Sequence, residues 1–156
     1  MEELDIKTAI QIAKILAAAP DERIPMILDV FSKAQVDING LDELGFEIET
    51  LGEEVRCKGR CCGGTVTLPY PSVGATENLI MAALGGRHDT IIKNCATEPE
   101  IVDFASFLKT CGFQVHGAGS DTIFIKGGEC LHRQDTMYFI MEDRIEAATY
   151  MMAVAG

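Results

Sequence analysis

The sequence predicts an α/β fold with mixed sheets, on three observations. Strand-type segments followed by helix-type segments occur three times, around Pro71, Thr97 and Asp143, which suggests a repeated unit. Extra hairpin-type strands lie between those helices, and they argue against a plain doubly wound parallel sheet. The chain has 156 residues, a length at which roughly 70% of the unfolded surface is buried on folding, so a core forms without disulfide or metal staples.

The first third has its own texture. Ile6, Ala9, Ile10, Ala13, Leu16 and Ala17 recur at helical spacing, with Lys7, Gln11 and Lys14 on the other side. Pro20 and Asp21 break this pattern, and a second helix is expected from about Glu22 to Lys33, with Pro25 tolerated in its first turn. Residues 1–36 therefore read as a helical hairpin that covers one face of the core or mediates self-association. Residues 37–156 read as the main domain.

Strands are expected over Phe46 to Thr50, Glu54 to Arg60 and Thr65 to Leu68. A helix over Val73 to Leu84 follows, closed by Gly85 and Gly86. Thr90 to Lys93 is a strand of buried character. The next helix begins at Thr97, where Thr97 and Glu100 form a capping box, and runs to Gly112. Phe113 to His116 and Thr122 to Lys126 make a hairpin about the turn Gly117 to Asp121. The last unit is a strand, Thr136 to Ile140, and a helix from Asp143 with Asp143 and Glu146 as its capping pair.

Composition limits the function classes. Apolar residues make up 47% and charged residues 24%, the balance of a soluble globular protein. Thirteen Lys plus Arg against 24 Asp plus Glu give a net charge of -11. That acidity speaks against nucleic acid as the main partner and against an anionic membrane surface. No apolar run reaches the length of a membrane span, and Met1 leads into Glu2 and Glu3 in place of a signal peptide, so a cytoplasmic protein is expected. In that setting the six cysteines read as thiols. Cys57, Cys61 and Cys62 cluster, but without a second pair they do not make a zinc site.

Three segments carry candidate chemistry. In Tyr70 to Glu77, Ser72 caps a helix and Gly74 leaves the backbone open, so the first-turn amides suit a phosphate or carboxylate. Thr97 to Glu100 places Glu98 and Glu100 in a first turn, where capping alone also explains them. Met141 to Glu146 sets three acids and Arg144 at a junction where Asp143 is either a cap or a general base. Periodicity does not choose between these readings.

The ordered motifs go further. Pro71-Ser-Val-Gly-Ala-Thr-Glu-Asn78 and Ala96-Thr-Glu-Pro-Glu-Ile-Val-Asp103 come first. Phe107-Leu108, Gly112, Gly117-Ala-Gly-Ser-Asp-Thr-Ile123 and Asp143-Arg-Ile-Glu-Ala147 with Thr149-Tyr150 follow, and a weaker stretch extends back through Gly40-Leu-Asp-Glu-Leu-Gly45. Together they resemble part of the UDP-N-acetylglucosamine enolpyruvyl transferases (1-carboxyvinyltransferases), within an EPSP synthase-like superfamily. The resemblance implies two domains of repeated βαβαββ units, an inside-out α/β barrel with helices inside and sheets outside, here incomplete. It implies transfer of the enolpyruvyl group of phosphoenolpyruvate to the 3-hydroxyl of UDP-N-acetylglucosamine with release of phosphate, an early step of peptidoglycan synthesis. It implies no cofactor and no metal. By motif, Ser72, Val73 and Gly74 match the helix start that contacts the uridine diphosphate part, Asp143 the general base, and Glu98 and Glu100 an acidic pair near the active site.

The family's acid, a cysteine on a Gly-rich loop before an Arg-Pro-Val-Asp-Leu motif, has no counterpart: only Val36 and Asp37 echo the motif, and no cysteine precedes Cys57. The cations that grip phosphoenolpyruvate are also missing, apart from Arg144 and Lys93 near the motifs. The expectation is a partial transferase domain that is inactive as a lone chain, engaging UDP-N-acetylglucosamine but not phosphoenolpyruvate. The competing reading is a non-catalytic UDP-sugar-binding or oligomerising module. Either way an unfinished unit invites a homo-oligomer or a complementing chain.

Overall fold

The computed structural model describes residues 38–51, 54–128 and 137–155. The helical hairpin expected over 1–36 lies outside these residues, as do Cys130 and Thr136. The elements in order are α1 (Ile38–Glu43), β1 (Glu47–Leu51), β2 (Glu54–Lys58), β3 (Gly64–Thr67), α2 (Val73–Ala83), β4 (Thr90–Lys93), α3 (Pro99–Thr110), β5 (Val115–His116), β6 (Thr122–Ile125) and α4 (Arg144–Ala155).

From β3 to β6 the order is βαβαββ, the unit that the sequence resemblance implies. Its sheet runs β3-β4-β6-β5. β3 and β4 are parallel, while β6 lies antiparallel to both β4 and β5. Alternation decides the two faces. Val66, Thr90, Ile92, Val115, Ile123 and Ile125 are buried on one face, whereas Thr65, Thr67, Lys93, His116 and Thr122 are exposed on the other. Against the buried face pack Leu79, Ile80 and Ala83 of α2 and Ile101, Ala105 and Leu108 of α3. Helices cover one face, and the other face is open.

Turn chemistry fixes the connections. α2 ends at Leu84 and the chain leaves it through Gly85 at φ 70°, a left-handed position where glycine carries no steric penalty. In the β5–β6 turn a Cβ on Gly117 would collide with the Thr122 carbonyl, and Ser120 closes the turn by donating its amide to the Gly117 carbonyl.

Three expectations need correction. The helix α1 was not expected. Leu41 and Leu44 bury into the core, and Gly45 at φ 90° ends the helix after six residues, too few for a periodic pattern to show. α3 does not start with a Thr97–Glu100 capping box. Its cap position is Glu98, whose side chain makes no cap bond, because Pro99 holds the first helical φ and keeps the preceding residue out of the helix. Finally, Met137 to Ile140 is not a strand: it pairs with no strand among the described residues and is largely exposed. The third strand-then-helix pair is thus only a helix, α4.

Ahead of the main unit, β1 and β2 form an antiparallel hairpin with Glu47 opposite Lys58. Cys57, Cys61 and Cys95 are buried free thiols, Cys111 is half-buried and Cys62 is exposed. Burial pushes the Cys57 and Cys95 thiols up to about 11, so both are protonated at neutral pH.

Candidate functional site at the helix starts

The parallel strands β3 and β4 end side by side, and each feeds the start of a helix. Pro69 and Pro71 keep the first connection extended. Leu68 donates its amide to the Lys93 carbonyl at 3.0 Å. Asn94 donates its side-chain amide to the Leu68 carbonyl at 2.9 Å. To do so Asn94 adopts φ 57°, a left-handed conformation that asparagine tolerates better than most residues. The two connections are therefore tied to each other.

Ser72 is the N-cap of α2, and its hydroxyl accepts the Ala75 amide at 3.4 Å. The Thr76 hydroxyl donates to the Ser72 carbonyl at 2.7 Å and accepts the Ala96 amide at 3.0 Å. This fully buried threonine locks the first turn of α2 to the loop that leads into α3. The first intrahelical amide is that of Thr76, bonded to the Ser72 carbonyl, so the amides of Val73 and Gly74 precede the helical ladder. A Cβ placed on Gly74 meets nothing within 4 Å. The protein's own packing does not require glycine here, and the space into which a side chain would project is open.

The acids gather around the starts of α3 and α4. Arg144 donates from Nε to Glu100 Oε1 at 2.8 Å and from its terminal nitrogen to Oε2 at 3.2 Å, a two-point grip. This hydrogen bonding holds the Glu100 carboxyl below its ordinary value. Asp143 Oδ1 accepts the amides of Ile145 at 2.8 Å and Glu146 at 3.0 Å, the capping arrangement expected for it. Those two bonds lower its pKa, and its side chain is exposed. Glu98, half-buried at the α3 cap, adds to the field that raises Arg144, after Glu100.

Glu77 is the residue that sequence reasoning missed. It lies one turn into the helix that Ser72 opens, and burial, then the Glu100 charge, pushes its carboxyl up to about 7. Its place inside the motif quoted above was the only available signal, since an acid within a helix ordinarily reads as solvated. Of the candidate residues, Glu100, Asp143 and Arg144 thus form one cluster, with Glu98 close in charge. Glu77, on the helix that Ser72 opens, feels the charge of that cluster through Glu100. Among the described residues no group of three His, Cys, Asp or Glu side chains is arranged to hold a metal ion. No helix among them is long and apolar enough to cross a membrane.

The arrangement is that of an enolpyruvyl transferase fold. The enolpyruvyl transferase NikO from Streptomyces tendae superposes with a TM-score of 0.62 at 18% identity, covering 84% of this chain and 36% of that one. EPSP synthase from Acinetobacter baumannii gives 0.51 at 21% identity, covering 80% of this chain and 29% of its own. Residues 34–155 match the family described as EPSP synthase (3-phosphoshikimate 1-carboxyvinyltransferase), and the chain belongs to that family. Within it, the chain is 48% identical over 120 residues to a UDP-N-acetylglucosamine 1-carboxyvinyltransferase of Finegoldia magna. It is 48% identical over 119 residues to UDP-N-acetylglucosamine 1-carboxyvinyltransferase 2 of Caldanaerobacter subterraneus. Each match covers 76% of this chain and 28% of the relative, so the chain spans little more than a quarter of these relatives' length.

Proposed function

We propose that this chain is a partial enolpyruvyl transferase domain that keeps part of a UDP-N-acetylglucosamine half-site and does not complete the reaction alone. The family reaction joins the enolpyruvyl group of phosphoenolpyruvate to the sugar nucleotide and releases phosphate, in peptidoglycan synthesis. The observation that carries the reading is the open backbone at Gly74. It sits at a capped helix start, where unladdered amides and the helix dipole favour a diphosphate. Ser72, Val73 and Gly74 are the proposed contacts to it.

The inactivity of the lone chain follows from charge. Stabilising the phosphoenolpyruvate transition state takes several fixed cations, and Arg144 is already engaged by Glu100. Asp143 is the proposed carboxylate facing the acceptor hydroxyl. Its two cap bonds hold its pKa low, which makes it a weak proton acceptor as it stands. Glu98 and Glu100 are then supporting acids, with Glu100 positioning Arg144.

The test is release of inorganic phosphate from phosphoenolpyruvate plus UDP-N-acetylglucosamine by the purified chain. No release above the uncatalysed rate is expected, and robust turnover would overturn the inactivity.

A further inference from the structure

We propose that Asn78 and Thr76 are positioning residues: two core side chains that hold the backbone amides of Val73 and Gly74 in one orientation for a diphosphate. This role rests on the proposed half-site at the start of α2 and accounts for what keeps that half-site in shape. Among the described residues three polar side chains are buried, Thr76, Asn78 and Thr90. Two of the three bond carbonyls in the first turn of α2. The Thr76 hydroxyl donates to the Ser72 carbonyl at 2.7 Å, and the Asn78 side-chain amide donates to the Gly74 carbonyl at 2.9 Å. A peptide group is planar, so the Ser72 carbonyl and the Val73 N–H turn as one unit. So do the Gly74 carbonyl and the Ala75 N–H, and the Ser72 hydroxyl holds the latter as well, at 3.4 Å. The Gly74 N–H belongs to the single peptide between these two fixed ones.

Neither the core nor the helix asks for an asparagine at this position. Asparagine is a poor residue for a helix interior, and its amide costs free energy when taken out of water. Leu79, Ile80 and Met81 follow it, all buried, and an apolar residue at 78 would serve packing and propensity better. What the asparagine supplies is a hold on Gly74. Glycine has more backbone freedom to lose than any other residue, so a glycine that leaves a first turn open also leaves it loose. A side chain one turn on, bonded to its carbonyl, removes that looseness. Thr76 adds the second fixed point, because its oxygen also accepts the Ala96 amide at 3.0 Å and so ties the turn to the loop before α3. A local rule broken without a gain in packing is the mark of a residue kept for a site.

The experiment is NMR of the full isotope-labelled chain titrated with UDP-N-acetylglucosamine, with backbone order parameters of Val73 and Gly74 measured before ligand is added. The ligand is expected to move the Val73 and Gly74 amide signals of the natural chain. Asn78→Leu and Thr76→Val are each expected to weaken binding at least about tenfold and to lower the Gly74 order parameter. Thr76→Ser, which keeps the hydroxyl, is expected to retain the natural affinity. Leu79→Ala, on the same helix but without a bond to the turn, is expected to lower the melting temperature and leave the affinity of the folded chain intact. Natural affinity in both Asn78→Leu and Thr76→Val overturns the proposal and leaves the half-site standing. So does a Thr76→Ser chain as weak as Thr76→Val, or a Leu79→Ala chain as weak as Asn78→Leu. If Asn78→Leu does not fold, the two Thr76 variants decide. A natural chain whose Val73 and Gly74 signals stay still at millimolar ligand overturns the half-site itself, and the positioning role with it.

Discussion

Two helices of nearly equal length meet opposite fates in this molecule. α2 has 11 residues and α4 has 12, both are rich in apolar side chains, and both open on a side-chain cap, Ser72 for one and Asp143 for the other. Yet α2 buries eight residues among the sheet, α1 and α3, and none of the described side chains of α4 is buried. Capping and composition therefore establish that a helix forms. What it does is decided by what the rest of the chain brings to its surface. α2 is held along its length, with its first turn tied to the α3 loop by Thr76, whereas α4 is held at one end by the Arg144–Glu100 clasp and is exposed along the rest.

The sharpest way to break this contrast is truncation. Leu79→Ala in α2 removes a fully buried side chain and is expected to cost about 3 kcal/mol in chemical denaturation. Met151→Ala in α4 is expected to stay within about 0.5 kcal/mol when measured under dilute, monomeric conditions. Equal costs would mean that α4 is covered within one chain.

The next effect is a pH dependence between about 4.5 and 7 carried by Glu77 of α2. The folded Glu77 titrates near 7 against an ordinary 4.5, so the unfolded chain releases this proton first. Its contribution is fully present below pH 4.5, fades as pH rises to about 7 and changes no further above that. The fade is on the order of 1–3 kcal/mol. Glu77→Gln should flatten the stability profile in that window, and a profile with the same slope in both proteins would contradict the burial of this carboxyl.

Smaller effects sharpen the first turn. Ser72→Ala should cost about 1 kcal/mol through loss of the cap. Gly74→Ala should change stability in the other direction, by about 0.5–1 kcal/mol, since glycine in a helix is unfavourable and the new methyl meets only open space. A destabilised Gly74→Ala protein would show that the space is not open.

The βαβαββ unit was legible because its signals are local: alternation in Thr90 to Lys93, the Ser72 cap, Gly85 after α2 and the Gly117 turn. The strand expected at Thr136 to Ile140 failed for a reason that local signals do not carry. Met137 to Ile140 has strand composition, but among the described residues no edge pairs with it, and pairing makes a strand. The Thr97 box failed because Pro99 outranks a threonine as a start signal. At the site, the motifs picked out Ser72, Gly74 and Glu100. The burial of Glu77 beside the Glu100 charge and the clasp between Glu100 and Arg144 join residues 23 and 44 positions apart in sequence. Spacing along the chain says nothing about such contacts.

The central claim is that the α2 start keeps a sugar-nucleotide half-site, and thermal unfolding against UDP-N-acetylglucosamine tests it most directly. A ligand that binds only the folded state raises the melting temperature progressively with its concentration. The expected result is such a rise for the natural chain and none for Gly74→Leu, in which the side chain fills the space before the amides. A melting temperature unmoved at millimolar ligand, or one that rises equally in Gly74→Leu, would contradict the claim.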